Sequence, residues 1–333
     1  MHTEDTHHIE HKRPKRYALA IAFGSMIAFA SASTWICYRS MQAEAYSRYM
    51  GIRNVVAERI SRIIRGVEIN AYSTFQEVEA NHATADEVIE ALKRKANINL
   101  DVRGYFAAFE PEYFPERGTW FEPYIYQPEK GGFDFRQVGS ARHNYFTSDW
   151  YKRCKATGSI FWSDPYYYYD GTAMSGHYTT FVKPLFDHKG DLVCVLGADM
   201  KFEWLSKELE WVENSCRGNE ELNKHHLFKE FDFSSIILSH DGNCIAYTGE
   251  EAPNIIKDDF KSNLTKQKRG VARVKINGKP YMIYYGPIEF VNWYAAIAVP
   301  QWDFLKPMLP ASVIFLFIAI VGMSLLWYEL KKR

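Results

Sequence analysis

Two apolar runs, one near each end of the chain, interrupt an otherwise polar pattern. Neither 17–38 nor 307–328 contains a charged residue. About 20 helical residues cross a ~30 Å hydrocarbon core, so each run predicts a membrane-spanning helix. Basic residues precede the first run and follow the second, which predicts that both ends, 1–16 and 329–333, are cytoplasmic. The segment 39–306 is then extracytoplasmic.

The first run has a second interpretation. Ala30-Ser31-Ala32 follows basic residues and an apolar stretch, a pattern that fits a cleavable signal peptide. The apolar residues continue to Tyr38, however, and this favours an uncleaved membrane anchor.

A long helix is predicted over 41–80, directly after the first span. Its apolar residues recur every three or four positions, and they are Tyr49, Ile52, Val56, Ile60, Ile63 and Val67. Such a stripe either packs on a sheet or pairs with a second copy of the helix. A further helix is expected from Thr84, which has capping-box spacing to Glu87, to about Ala96.

From Tyr105 onward, short β-branched and aromatic runs alternate with turn residues, which predicts strands. The first set is 105–110, 119–127, 159–164, 177–186 and 192–199, followed by a helix over 202–214. The second set is 234–239, 244–248, 270–276, 281–285 and 293–299, with a helix over 255–266. Asn277-Gly278-Lys279 lies between two of these strands and predicts a hairpin. We therefore expect an α+β fold with two antiparallel-sheet modules, a membrane-distal one over 81–216 and a membrane-proximal one over 225–300.

The composition and motif content of the chain exclude several classes of function. Lys and Arg total 40, as do Asp and Glu, so the net charge is zero and nucleic-acid binding is not expected. The mean hydropathy of −0.32 excludes a many-span transporter. The sequence contains no phosphate loop, nucleophile elbow or zinc-protease helix pattern. We therefore expect no catalytic residue, metal or cofactor.

Five motifs in order resemble the double-Cache (PAS-like) sensor domain of bacterial transmembrane receptors. They are Asp149-Trp150-Tyr151, the 162–166 segment WSDPY, the 177–184 strand HYTTFVKP, the turn Asp187-His188-Lys189-Gly190, and Leu196-Gly197-Ala198-Asp199-Met200. The segment 109–124 is also similar to the sensor half of Bacteroidetes-type histidine kinases and PPM-type phosphatases. The resemblance implies two tandem PAS-like modules between two membrane helices.

The resemblance also implies a ligand site in the distal module. Its candidate residues are Trp150, Tyr151, Trp162, Tyr166, Tyr168, Asp170, His177 and Asp199. Family members that bind amino acids have Arg two positions before the Trp-Tyr pair, where this chain has Ser148, and an upstream aromatic, where it has His143. An α-amino-acid carboxylate therefore lacks its usual clamp, whereas Asp199 suits an ammonium group. The core-packing alternative for Trp150 and Tyr151 stays open.

The predicted function is a two-pass sensor of the bacterial inner membrane that binds a small polar ligand, an amine or amino-acid-like molecule. A homodimer is expected, and the signal would pass to a histidine kinase or phosphatase partner, or to an output domain missing from a truncated chain. The alternative is an anchored envelope module that captures sugars or peptides without signalling. A membrane-anchored hydrolase is a weaker alternative, because no catalytic constellation supports it.

Overall fold

The computed structural model describes residues 12–96, 101–128, 131–169, 175–218, 232–249, 268–302, 306 and 308–332. The described chain has a long N-terminal helix, two antiparallel sheets and shorter helices. This confirms the predicted α+β class, the long helix and the antiparallel sheets. The predicted helix over 255–266 and the candidate Asp170 lie outside the described residues.

The first helix, α1, is one continuous element of 69 residues, Lys12–Ala80. At 1.5 Å per residue it is about 100 Å long, and it joins the first predicted span to the predicted helix 41–80. Many side chains of the apolar N-terminal part are exposed, whereas from Met41 onward one stripe is buried, including Tyr49, Ile60 and Val67. That stripe packs on the sheets, which was one of the two predicted alternatives.

The two predicted membrane spans differ in the length of apolar helix that the structure gives them. Among the described residues, one helix is long and apolar enough to cross a membrane, within Ala20–Ala80. The C-terminal helix α5, Met308–Lys332, has a shorter apolar core, Val313–Leu325. The second span is therefore not established. The two helices meet where the Met26 side chain lies beside Gly322.

Helix α2, Ala85–Lys95, begins with the predicted capping box. The Glu87 backbone N–H donates to Thr84 Oγ1 (3.3 Å), and the Thr84 backbone N–H donates to Glu87 Oε2 (3.3 Å). Two N–H groups that the helix cannot pair internally are thereby satisfied.

The first sheet follows α2 and has seven strands, in the order β3-β2-β1-β7-β6-β4, with β5 also pairing with β6. The strands are β1 (Gly104–Phe109), β2 (Pro123–Tyr126), β3 (Asp134–Gln137), β4 (Phe161–Trp162), β5 (Tyr166–Tyr168), β6 (Gly176–Phe186) and β7 (Leu192–Lys201). Helix α3 (Asp149–Thr157) lies between β3 and β4, and α4 (Glu203–Gly218) follows β7.

Two differences from the predicted strands have local causes. The predicted strand 159–164 ends at Trp162 because the Ser163 hydroxyl accepts from the backbone N–H of Thr180 (2.9 Å), and Pro165 has no N–H to donate. Strand β3 was not predicted because it is a largely exposed edge strand without an apolar alternation.

The second sheet has five strands in the order β10-β11-β12-β8-β9. They are β8 (Ser234–Ser239), β9 (Cys244–Tyr247), β10 (Gly270–Ile276), β11 (Lys279–Pro287) and β12 (Trp293–Pro300). The predicted β10–β11 hairpin turns at Asn277 (φ 49°) and Gly278 (φ 77°). Two successive positive φ values are what a tight two-residue hairpin turn requires.

Alternation along the first sheet separates two faces. The rear face, including Phe109, Phe181 and Leu196, shares a core with α1. The front face, including Phe106 and Val195, shares a second core with α3. Since side chains alternate between faces along a strand, residues of the same parity as Phe106 and Val195 face away from α1. The candidate ligand site lies on this front side.

Candidate ligand-binding site

A cavity of about 350 Å³ lies on the front side of the first sheet. Its lining residues are Phe106, Glu122, Tyr124, Val138, His143, Ser148, Trp150, Tyr166, Tyr167, Tyr168, Tyr169, Tyr178 and Asp199. They come from β1, β2, β5, β6 and β7, from the start of α3, and from the loops around β3. Among the described lining residues there are two carboxylates and no lysine or arginine. The volume is near the lower limit for small-molecule sites.

Asp199 is held at the sheet end of the cavity by strand register. On β7 it lies opposite Thr180 of β6 and Gly104 of β1. Thr180 Oγ1 donates to Asp199 Oδ1 (2.6 Å), and the Tyr166 hydroxyl lies 2.7 Å from Thr180 Oγ1 and 3.4 Å from Asp199 Oδ1. The Tyr124 hydroxyl is a further donor to Asp199.

Burial controls the ionisation of Asp199, which is only 8% exposed. Loss of hydration raises the pKa of its carboxyl to about 6, and the hydrogen bonds from Thr180, Tyr124 and Tyr166 oppose this rise. Burial also raises the pKa of the Tyr124 and Tyr166 hydroxyls, and the neighbouring Asp199 charge adds to it. These tyrosines therefore stay neutral donors, and near neutral pH Asp199 carries a buried negative charge.

Two glycines make room for the aromatic wall. A Cβ at Gly104 would lie 2.5 Å from Cζ of Tyr124, and a Cβ at Gly197 would overlap the ring of Phe106. Both glycines face the cavity side of their strands, since Gly104 pairs with Asp199 and Gly197 pairs with Phe106. The missing side chains allow the two rings to lie across the strands.

Glu122 supplies the second carboxylate. It immediately precedes β2, it is 3% exposed, and its Oε2 accepts no hydrogen bond within the described part of the chain. Nε2 of His143 lies 3.6 Å from this oxygen. Burial, followed by repulsion from Asp199, raises the pKa of Glu122 well above its usual value. The two carboxylates are thus electrostatically coupled across the cavity.

The remaining walls are aromatic. Trp150 lies in the first turn of α3, and its ring centroid is 5.0 Å from that of Phe106. The Tyr168 ring contacts His143 edge-on at 5.1 Å and Tyr178 at 6.3 Å. Aromatic faces carry a negative quadrupole that attracts cations. The cavity therefore combines two buried acids with electron-rich rings.

The structure brings together four of the predicted site residues and places three elsewhere. Trp150, Tyr166, Tyr168 and Asp199 line the cavity. Tyr151 does not, because one residue along α3 turns its side chain away, and its hydroxyl donates to Glu110 Oε1 (2.7 Å).

Trp162 and His177 lie outside the cavity because side chains alternate between the two faces of a strand. Trp162 is paired with Phe181 on the rear face, and its Nε1 donates to Glu68 Oε1 of α1 (2.9 Å). His177 is exposed and contacts the Tyr167 ring at 4.9 Å, because the adjacent Tyr178 takes the cavity side of β6.

Sequence reasoning missed several lining residues. Ser148 and His143 had been noted only as departures from the amino-acid-binding pattern. Phe106 and Tyr178 lie within the predicted strands 105–110 and 177–186, but neither was named as a site residue. Glu122 carried a usable signal, because it is the one acid within the aromatic segment 119–126.

Comparisons with known proteins bear on this site. Residues 88–207 match the family model described as "Methyl-accepting chemotaxis protein-like, first PDC sensor domain". A search of curated proteins found no match.

Several solved structures share the fold. The periplasmic sensory domain of the Campylobacter jejuni chemoreceptor Tlp1 aligns with a TM-score of 0.60 and 14% identity, covering 80% of this chain and 99% of that chain. The extracellular domain of soHK1S-Z6, described as a histidine kinase, gives 0.59 and 17%, covering 81% and 99%. The ligand-binding domain of Mlp24 with asparagine gives 0.55 and 14%, covering 81% and 98%. Together with the family match, they confirm the predicted resemblance.

Proposed function

The chain carries a sensor domain of the PDC or Cache type, and we propose that it is the sensing part of a two-pass receptor of the bacterial inner membrane. Its ligand is a small polar molecule with an amine group, bound in the cavity of the first sheet. The observation that carries this proposal is the pair of buried carboxylates, Asp199 and Glu122, within an aromatic cavity whose described walls contain no lysine or arginine.

Charge complementarity favours an ammonium group at Asp199. An isolated buried carboxylate is costly, and a cation in contact with it offsets that cost. The faces of Trp150, Tyr166 and Tyr178 add cation–π attraction of about 0.5–2 kcal/mol. Mlp24 was solved with asparagine. In this chain Ser148, which has no charge, lies beside Trp150 on the cavity wall, so a ligand carboxylate has no guanidinium clamp there.

The signal passes through the rear face of the first sheet. Trp162 of β4 donates to Glu68 of α1, and Lys183 of β6 forms an ion pair with Glu79 of α1. Helix α1 continues without a break into the apolar N-terminal segment. A ligand that binds one arrangement of the sheet more tightly shifts α1 by that difference in affinity.

Helices α1 and α5 both cross the membrane, and both termini are cytoplasmic. Two copies pair along the free face of α1, which exposes Val55 (48%) and Ile69 (59%). The receptor then acts on a histidine kinase or phosphatase output.

Disulfide trapping of a Val55→Cys variant in membranes tests the pairing of two copies along α1. A cross-linked dimer is expected, and monomer alone would contradict it.

The test of the ligand class is a thermal-shift and calorimetry screen of the full chain in nanodiscs. Amines, amino acids, organic acids and small sugars are compared. A ligand present at 100 times its Kd stabilises the folded state by about 2.7 kcal/mol. We expect hits among amines and their loss in Asp199→Asn, with Asp191→Asn as the exposed matched control. Hits confined to sugars or acids would contradict the proposal.

A further inference from the structure

Glu122 is the part of the cavity that one amine at Asp199 leaves unexplained. Its side chain is 4% exposed and lines the cavity, and Oε2 accepts no hydrogen bond within the described residues, although Nε2 of His143 lies 3.6 Å away. A buried polar atom without a partner costs about 1–3 kcal/mol, and more when it is charged. Such an atom in a ligand cavity indicates a missing partner that is a donor or a cation.

The surroundings of Glu122 define that partner. Asp199, Tyr124, Tyr166 and His143 line the same cavity, and the Tyr145 hydroxyl is close enough to interact with the Glu122 charge. The contact of His143 with Glu122 is an ion pair only when the imidazole is protonated, so a neutral His143 offsets no negative charge. The tyrosines are neutral donors, so they compensate no second negative charge.

We propose that the cavity binds a molecule with two cationic groups, a short α,ω-diamine, with one ammonium at Asp199 and the other at Glu122. This inference rests on the proposed function and specifies its ligand class. Two carboxylates match two ammonium groups one for one, and the aromatic rings that line the same cavity offer apolar surface to the methylene chain. A cavity of about 350 Å³ limits the ligand to a short chain.

Binding of a diamine and binding of a monoamine differ in the number of protons that the protein releases. In the empty cavity, burial and the Asp199 charge raise the pKa of Glu122 and so favour its protonated form. A second ammonium group needs the ionised carboxylate, so a proton held by Glu122 leaves to the buffer when a diamine binds. A monoamine needs only Asp199, which is already ionised near pH 7.5. Diamine binding therefore releases up to one proton more than monoamine binding.

The experiment is isothermal calorimetry on the full chain in nanodiscs at pH 7.5, in two buffers of different ionisation enthalpy. The probes are 1,4-diaminobutane and n-butylamine, with 1,3-diaminopropane and 1,6-diaminohexane, both of which are largely dicationic at this pH, to bracket the length. We expect at least one diamine to bind ten-fold or more tightly than n-butylamine, with proton release. In Glu122→Gln the diamine affinity should fall to that of n-butylamine and the additional proton release should disappear, and cooperative urea unfolding of the variant shows separately that it is folded.

Glu116→Gln, at an exposed position, is the matched control and should keep both properties. Equal affinities for n-butylamine and every diamine, or an undiminished preference in Glu122→Gln, would overturn the diamine inference and leave the amine proposal standing. Binding of neither class by the wild-type chain would overturn both.

Discussion

Asp199 is expected to destabilise the empty protein. The carboxyl is buried and its pKa in the folded protein is raised to about 6 from an ordinary value of 3.8. Replacing it with Asn keeps the shape and an oxygen that accepts from Thr180, and it removes the buried charge. We therefore predict that Asp199→Asn is more stable than the wild-type chain at neutral pH without ligand.

The magnitude and the sign follow from linkage. One pKa unit corresponds to about 1.36 kcal/mol, so a rise of about two units costs the folded state about 3 kcal/mol once Asp199 is fully ionised. The folded protein binds this proton more tightly than the unfolded chain does. Its free energy of unfolding therefore falls as pH rises from about 4 to about 6, and the full cost is present above that range.

The assay is urea denaturation of the full chain in detergent, followed by tryptophan fluorescence, at pH 7.5 and pH 4. Asp199→Asn should exceed the wild type by up to about 3 kcal/mol at pH 7.5, and by less than about 1 kcal/mol at pH 4. Asp191→Asn, at an exposed turn, should show neither effect. An Asn variant that is no more stable at pH 7.5, or equally favoured at both values, would refute the reasoning.

Three further substitutions test the packing around the site. Gly197→Ala places a methyl group on the Phe106 ring, so we expect a loss of about 1–3 kcal/mol in unfolding free energy and a weaker amine affinity in calorimetry. Trp162→Phe removes the indole donor to buried Glu68, which should cost about 1–3 kcal/mol in urea denaturation. Thr84→Ala breaks the capping box and should cost about 0.5–2 kcal/mol by the same measurement.

Each substitution has a matched control. Gly51→Ala lies in α1 with no atom near its added methyl group, so it should be neutral or stabilising. Trp211→Phe removes a half-exposed indole, and Thr84→Ser keeps the capping oxygen. Losses in the controls as large as in the test variants would contradict the assigned contacts.

Short sequence patterns, whose residues lie close together in the chain, predicted much of the fold. The capping box at Thr84, the hairpin at Asn277-Gly278 and the apolar stripe of α1 each depend on residues close together in sequence. Such patterns are readable because the residues that satisfy one another are separated by a few positions. Edge strand β3 carries little apolar patterning, and it was missed for that reason.

The sequence by itself determined the long helix, the α+β class and the order of motifs around Asp199. Only the tertiary structure decided which of those motifs face the cavity, because one position along a strand reverses the side of the sheet. Trp162 thereby contacts Glu68 of α1, and Tyr178 rather than His177 lines the site. The coupling of Glu122 to Asp199 depends likewise on β1 pairing with both β2 and β7, a contact between distant segments that no local pattern records.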